Sequence, residues 1–404
     1  MRALLAFLAL GACALALTAC AADDGALASF SGREDVGSCV ERAASSAGDA
    51  RPTTLRAIAR EVERMRRLRF RTLPRPRYLP RAQMERRIRR ELDRYPSREL
   101  ALETRALIAL GAIPRGSSVK ALLKRTLPGQ IAGFYDPRTG ELVVGSSARK
   151  GLDAVARLTL AHELEHALAD QVLALPAYLQ DAAAPDGQED RELAGVALIE
   201  GDATLLTDAF ATKHLSLADA FRSLGPAITA SDQFGKLPYY LRASTIFPYD
   251  DGLSFVCRVF ERGGWRAVDR AYRRPPMTTA EVLFPQRYFA RVPARDAPDP
   301  EPPGPGWKLL DAQAFGAAPL LWLFEAPGGD TDRELSDALE RARAWAGGEL
   351  HVFGRAGKTA VGLTLVERRG APDLCASMRA WLKAAERRGA VRCSGRVIRA
   401  TLRS

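Results

Sequence analysis

The chain has 404 residues, 47% hydrophobic and 26% charged, a globular composition that excludes a disordered or fibrous protein. Its one long apolar run lies at the N-terminus, which excludes a multi-span membrane protein, and six cysteines in this length exclude a disulfide-scaffold miniprotein. The net charge of +11 is concentrated: residues 51–100 hold 17 arginines against 6 acidic residues, so the remainder is neutral in sum.

Met1-Arg2 followed by an apolar run to Ala19 reads as a signal peptide over 1–19, too short for a stable span. Its end, Leu17-Thr18-Ala19-Cys20, resembles a bacterial lipobox. The resemblance implies cleavage before Cys20, lipidation of its thiol and export to a membrane-anchored site in the cell envelope. Ala21 after the cysteine implies, by the same resemblance, the outer membrane facing the periplasm. Export means an oxidising compartment, in which Cys39, Cys257, Cys375 and Cys393 remain and permit three pairings. Cys375–Cys393 is the expected bridge because both lie in one small C-terminal unit; buried free thiols are the alternative.

Residues 20–50, rich in Ala, Ser, Gly and Asp, read as a flexible tether. Leu55, Ile58, Val62 and Met65 fall at helical spacing among arginines. Pro74, Pro76 and Pro80 interrupt, and a second basic helix carries Met84, Ile88 and Leu92. Ser97 is the expected N-cap of a helix running to Leu110, stopped by Gly111, and Ser117 or Ser118 is expected to open a short one. This makes 51–128 a basic helical region whose arginines read as a solvated face, with no nucleic-acid partner expected.

The period then changes. Ile131, Phe134, Leu142 and Val144 flank Asp136-Pro137-Arg138-Thr139-Gly140, a hairpin signal. An apolar helix is predicted over 152–173, a loop over 176–190, a helix over 192–213 and further helices over 216–292. Thr278 and Glu281 form a capping box there, with Pro285 as a stop. Together 129–292 reads as one unit. Residues 296–306 are a Pro- and acid-rich linker. The segment 307–404 reads as α+β: a helix near 330–346, strands at 349–353 and 359–366, a helix near 371–388 and two short strands. Gly354-Arg355-Ala356-Gly357-Lys358-Thr359 has Val352 where a phosphate loop needs its first glycine, and reads as a hairpin turn. The fold class is α+β: a mainly helical core with a small hairpin sheet, plus a small C-terminal α+β domain.

The chemistry sits in Ala161-His162-Glu163-Leu164-Glu165-His166-Ala167. Positions i and i+4 of a helix differ by about 40° in direction, so both imidazoles can share one Zn²⁺. Glu163 lies beside that face, where it can take a proton from an activated water. Four histidines in the whole chain make a chance arrangement a poor explanation. Catalytic zinc takes three protein ligands and an open position. A third histidine in the H-E-x-x-H-x-x-G-x-x-H pattern is absent, since Ala169 and Val172 occupy the required positions. Glu200 is the expected third ligand, because an apolar run precedes it and a buried carboxylate needs a partner. Gly201 and Ala203 beside it would let its helix approach the metal helix. Asp170 is expected to accept from a ligand N–H, and Tyr249 is the candidate oxyanion donor, packing at a helix start being its other reading. His214 and His351 read as structural.

Two histidines and a downstream glutamate resemble the gluzincin branch of the zincin metallopeptidases. More closely, the chain resembles bacterial envelope proteins of the neutral zinc metallopeptidase type. The resembling segments are Ala132-Gly133-Phe134-Tyr135-Asp136-Pro137, the H-E-x-x-H helix, Glu200-Gly201-Asp202-Ala203, Phe247-Pro248-Tyr249-Asp250-Asp251-Gly252, Gly263-Gly264-Trp265 and Pro275-Pro276-Met277-Thr278-Thr279. The resemblance covers roughly 50–292 and implies a zincin-like catalytic domain over 129–292 that hydrolyses peptide bonds with zinc. The family commonly has Thr at the position of Glu165 and His at that of Phe284. The alternatives are an inactive zincin-fold lipoprotein serving as a binding or scaffold protein, and a structural lipoprotein whose zinc only fixes the fold.

Overall fold

A computed structural model describes residues 36–48, 50–94, 96–129, 131–145, 151–173, 187–216 and 234–403. The expected signal peptide, Cys20 and most of the 176–190 loop lie outside the described residues. The chain is α+β, mainly helical, with two small sheets. Part of the segment expected to be a tether is a helix: α1, Gly37–Ala44, buries Cys39, which is bridged to Cys257.

Helix α2, Leu55–Arg66, starts at Thr54, whose hydroxyl accepts the Ala57 N–H at 3.2 Å, and buries Ile58, Val62 and Met65 along one stripe. The proline-rich stretch after it contains a strand that periodicity does not reveal. This strand, β1 (Pro76–Leu79), pairs in parallel with β3 (Glu141–Gly145), which pairs antiparallel with β2 (Gly133–Asp136). The order β1-β3-β2 leaves β1 at an edge, where a proline without an N–H is tolerated. The β2–β3 turn closes on Asp136, whose carbonyl accepts from Gly140 at 2.8 Å; Gly140 has φ +67°. Arg77 and Arg87 both pair with Glu141, tying β1 and helix α3 (Arg81–Arg94) to β3. Helices α4 (Ser97–Leu110) and α5 (Val119–Thr126) complete this region; Ser118 caps α5 as expected, but Ser97 is the first residue of α4, with Pro96 at the cap position and no side-chain cap.

Helix α6, Ala154–Leu173, is buried on every side from Ala156 to Ala169. Helix α7, Glu189–His214, runs 26 residues and crosses α8, Tyr239–Glu261. The crossing is made at two glycines. A Cβ built on Gly201 would overlap the backbone of Gly252, and one built on Gly252 would overlap the carbonyl of Ala197. Gly201 therefore serves the α7–α8 contact, not the approach to the metal helix expected from the sequence. Helices α9 (Trp265–Arg273), α10 (Thr279–Leu283) and α11 (Pro285–Ala290) follow. Thr278 caps α10 by accepting the Glu281 N–H, and Pro285 opens α11 as well as ending its predecessor.

The second sheet is antiparallel, of order β4-β5-β6-β8-β7, from β4 (Lys308–Ala314), β5 (Trp345–Arg355), β6 (Lys358–Glu367), β7 (Gly389–Ser394) and β8 (Val397–Arg403). Helix α12 (Ala317–Glu325) was not legible: it is apolar all round and wholly buried, so it has no amphipathic period. The helix expected near 330–346 is only α13, Ala338–Ala342, before β5 begins. Helix α14, Leu374–Ala384, is bridged to β7 through Cys375–Cys393. This sheet packs on the helical region: Arg387 donates to the carbonyls of Ile108 and Ala109 at the end of α4, at 2.6 and 3.2 Å.

Gly252→Ala should lower thermal stability. Helix propensity alone would favour alanine by about 1 kcal/mol. The obstructing atoms are backbone, however, and overpacking against them costs about 1–3 kcal/mol or more. Thermal unfolding checks the sign; an unchanged or raised Tm would show that α7 and α8 can separate freely.

Candidate metal centre

Helix α6 places His162 and His166 on one face, with ring centroids 4.6 Å apart. Helix α7 places Glu200 opposite them. Its Oε2 lies 3.2 Å from His162 Nε2 and 3.3 Å from His166 Nε2. One ligating atom from each of the three residues falls within 4.8 Å of the others, and all three residues are buried. The described residues contain no other such cluster. His214 pairs instead with Glu61 at 3.2 Å, and His351 approaches Asp299 at 3.8 Å. Asp208 also stands outside the cluster.

The surrounding groups prepare these atoms for a cation. The Thr207 hydroxyl donates to the Ala203 carbonyl at 2.7 Å, so its oxygen is left to accept from His162 Nδ1, 3.4 Å away. That fixes the His162 tautomer and presents the Nε2 lone pair to the cluster. Burial, with His166 beside it, holds the His162 imidazole below its ordinary pKa despite Glu200. Burial would raise the Glu200 carboxyl, but the two histidines outweigh it and hold it down to about 2. His166 Nε2 is buried and makes no hydrogen bond. Two imidazole nitrogens and a carboxylate oxygen, one nitrogen orphaned, fit a divalent metal ion of intermediate softness.

Glu163 is fully buried beside the cluster. Its Oε2 accepts the Tyr135 N–H of β2 at 2.8 Å, while Oε1 has no partner. Burial and the Glu200 charge push its carboxyl well above the usual range, against the Tyr135 hydrogen bond. The sequence offered no sign that Tyr135 orients this carboxylate. The same residue corrects the reading of Asp170. Asp170 takes the Tyr135 hydroxyl at 2.8 Å, because the β2 edge lies over that end of α6. Tyr249 is buried with its ring 6.3 Å from that of His162 and nearly parallel to it. Phe284 is elsewhere: its ring lies under the guanidinium groups of Arg287 and Arg343.

A third set of residues fixes the two ligand helices. Arg66, at the end of α2, is fully buried. It donates to Glu165 at 2.7 Å, Asp202 at 3.1 Å and Asp269 at 3.0 Å. The Tyr272 hydroxyl also donates to Asp202, and the Trp265 ring lies 4.5 Å from the guanidinium carbon. Glu165 thus turns away from the histidines that flank it. Burial opposes the charge on Arg66, but Asp202, Glu165 and Asp269 hold it protonated. Burial in turn pushes the Glu165 and Asp202 carboxyls upward against the pull of Arg66. The expectation that the basic region is a solvated face fails for this arginine. Its position carried a signal, since it follows Val62 by one helical turn and so continues the apolar stripe.

His162→Ala, His166→Ala and Glu200→Ala should each reduce bound divalent metal from about one ion per chain to near none, whereas Glu163→Gln should keep it. Elemental analysis after dialysis checks this; full metal content in Glu200→Ala would remove Glu200 from the site. Arg66→Met should cost about 3–5 kcal/mol in chemical denaturation, because it leaves buried carboxylates unpaired. No family model, curated protein or solved structure matches the chain.

Proposed function

We propose that the protein is a zinc-dependent peptidase held in the cell envelope by a lipid on Cys20. The observation that carries the reading is the buried Glu163 carboxylate, oriented by Tyr135 beside the His162, His166 and Glu200 cluster. A zinc ion held by these three residues would supply Lewis-acid polarisation of a peptide carbonyl and of water. The unpartnered Oε1 of Glu163 takes the proton of the attacking water and returns it to the leaving amine. Tyr249, beside His162, is the candidate donor to the developing oxyanion. Strand β2 is one of the two edges of its sheet, and an extended peptide would pair there by strand addition only by displacing the Tyr135–Glu163 contact and uncovering the buried strand. The bridges Cys39–Cys257 and Cys375–Cys393 support an oxidising compartment, and no helix among the described residues is long and apolar enough to cross a membrane.

A second reading draws on the burial of His162 and Glu163, each 0% exposed, which leaves little room for substrate. In it the metal fixes the fold and the protein acts as a binding or scaffold protein. The two readings separate on Glu163→Gln. For a peptidase, cleavage of a broad peptide library should fall about 10²–10⁴-fold while zinc content and Tm stay near wild type. Tyr249→Phe should cost no more than about 10²–10³-fold. A zinc-loaded wild type that cleaves nothing in the library would favour the scaffold.

A further inference from the structure

We propose that the outer face of the C-terminal sheet is a second binding site, for a small anion bearing two or more phosphate groups. Strand alternation builds it. In β8, Ile398, Ala400 and Leu402 point into the core, so Arg399, Thr401 and Arg403 point out. On the same face the register sets Arg392 of β7 directly opposite Arg399, and Thr364 and Gly362 of β6 opposite Arg399 and Thr401. The result is a groove of about 930 Å³ with a floor of small residues. Arg115, Arg388, Arg392, Arg399 and Arg403 ring it, and the linker at Pro300–Pro303 forms one wall. The volume lies within the range of small-molecule sites.

The charges in this groove are not balanced from within. Arg387 is spent on the α4 carbonyls, and Glu386 is held by Arg333 at 2.9 Å. That leaves Glu301 as the remaining carboxylate on the lining. Among the described residues none of the five ringing arginines forms an ion pair. Like charges directly opposite on neighbouring strands destabilise a sheet, and nothing in the fold compensates the Arg392–Arg399 pair. Two buried polar atoms on the lining also lack partners: Thr364 Oγ1, on a residue 0% exposed, and Arg399 Nε. A hydroxyl donor and several guanidinium forks around a small-residue floor suit tetrahedral oxyanions held by bidentate hydrogen bonds. The site lies on the C-terminal sheet, apart from the metal centre between helices α6 and α7, and does not depend on the peptidase reading.

The test is calorimetric titration of the full chain with inorganic tripolyphosphate, and flotation with phosphatidylglycerol vesicles. Wild type should bind tripolyphosphate with an affinity that falls as salt rises. Arg392→Gln/Arg399→Gln should lose at least about tenfold in affinity. Without ligand its Tm should equal or exceed that of wild type, because the like-charge pair is gone. Arg115→Gln, in an exposed loop, gives a second variant with the same expected direction should the double variant fold poorly. Vesicle binding without tripolyphosphate binding, lost in the same variants, overturns the proposal in favour of a membrane-facing surface. Equal tripolyphosphate affinity in wild type and variants overturns the proposal. So does tighter binding of a short DNA duplex lost in those variants, which would make the face a nucleic-acid surface.

Discussion

Burying one guanidinium organises the helical region. Arg66 is out of water, and a charge there is tolerated only when paired and hydrogen-bonded. Its partners come from three helices: Glu165 on α6, Asp202 on α7 and Asp269 on α9. Two of these positions adjoin the metal cluster in sequence, since Glu165 precedes His166 and Asp202 lies just past Glu200. The bonds that satisfy Arg66 therefore also set the rotation and spacing of the helices that carry the ligands. Burial raises the Glu165 and Asp202 carboxyls against the pull of Arg66, and at Glu165 the neighbouring Asp202 and Asp269 add to it.

Close backbone contact does the rest. Helices α7 and α8 meet through Gly201 and Gly252, and this approach brings Tyr249 beside His162. The Cys39–Cys257 bridge ties α1 to the far end of α8 across 218 residues of sequence. In the chain-entropy model a link that long stabilises the folded state by on the order of 5 kcal/mol. The site is thus framed by constraints that act on whole helices, while Thr207 and Tyr135 adjust individual side chains.

The two arginine-rich parts of the chain behave differently. In the N-terminal part many arginines have acidic partners: Arg77 and Arg87 meet Glu141, Arg81 meets Glu85, and Arg94 meets Glu91. Such exposed pairs contribute little energy, but they neutralise the surface. On the C-terminal sheet the outward arginines face one another across strands. Composition had pointed to the first region as the charged one, whereas the cross-strand pairing of like charges lies in the second.

What the sequence determined by itself was local. The i, i+4 histidines, the apolar helix that carries them, the β2–β3 turn at Asp136–Gly140 and the Thr278 cap all depend on residues a few positions apart. Glu200 was legible through the apolar run before it, because burying a carboxylate demands a partner. The tertiary structure decided what depends on distant contact. Strand β1 forms because Pro76–Leu79 finds β3 some sixty residues away, and no periodicity in four residues announces that. Arg66 is buried because three remote carboxylates neutralise it, whereas its neighbours in the same basic run stay in solvent. Tyr135 aims Glu163 through a backbone N–H, a group every residue but proline carries, so its identity encodes nothing about the role.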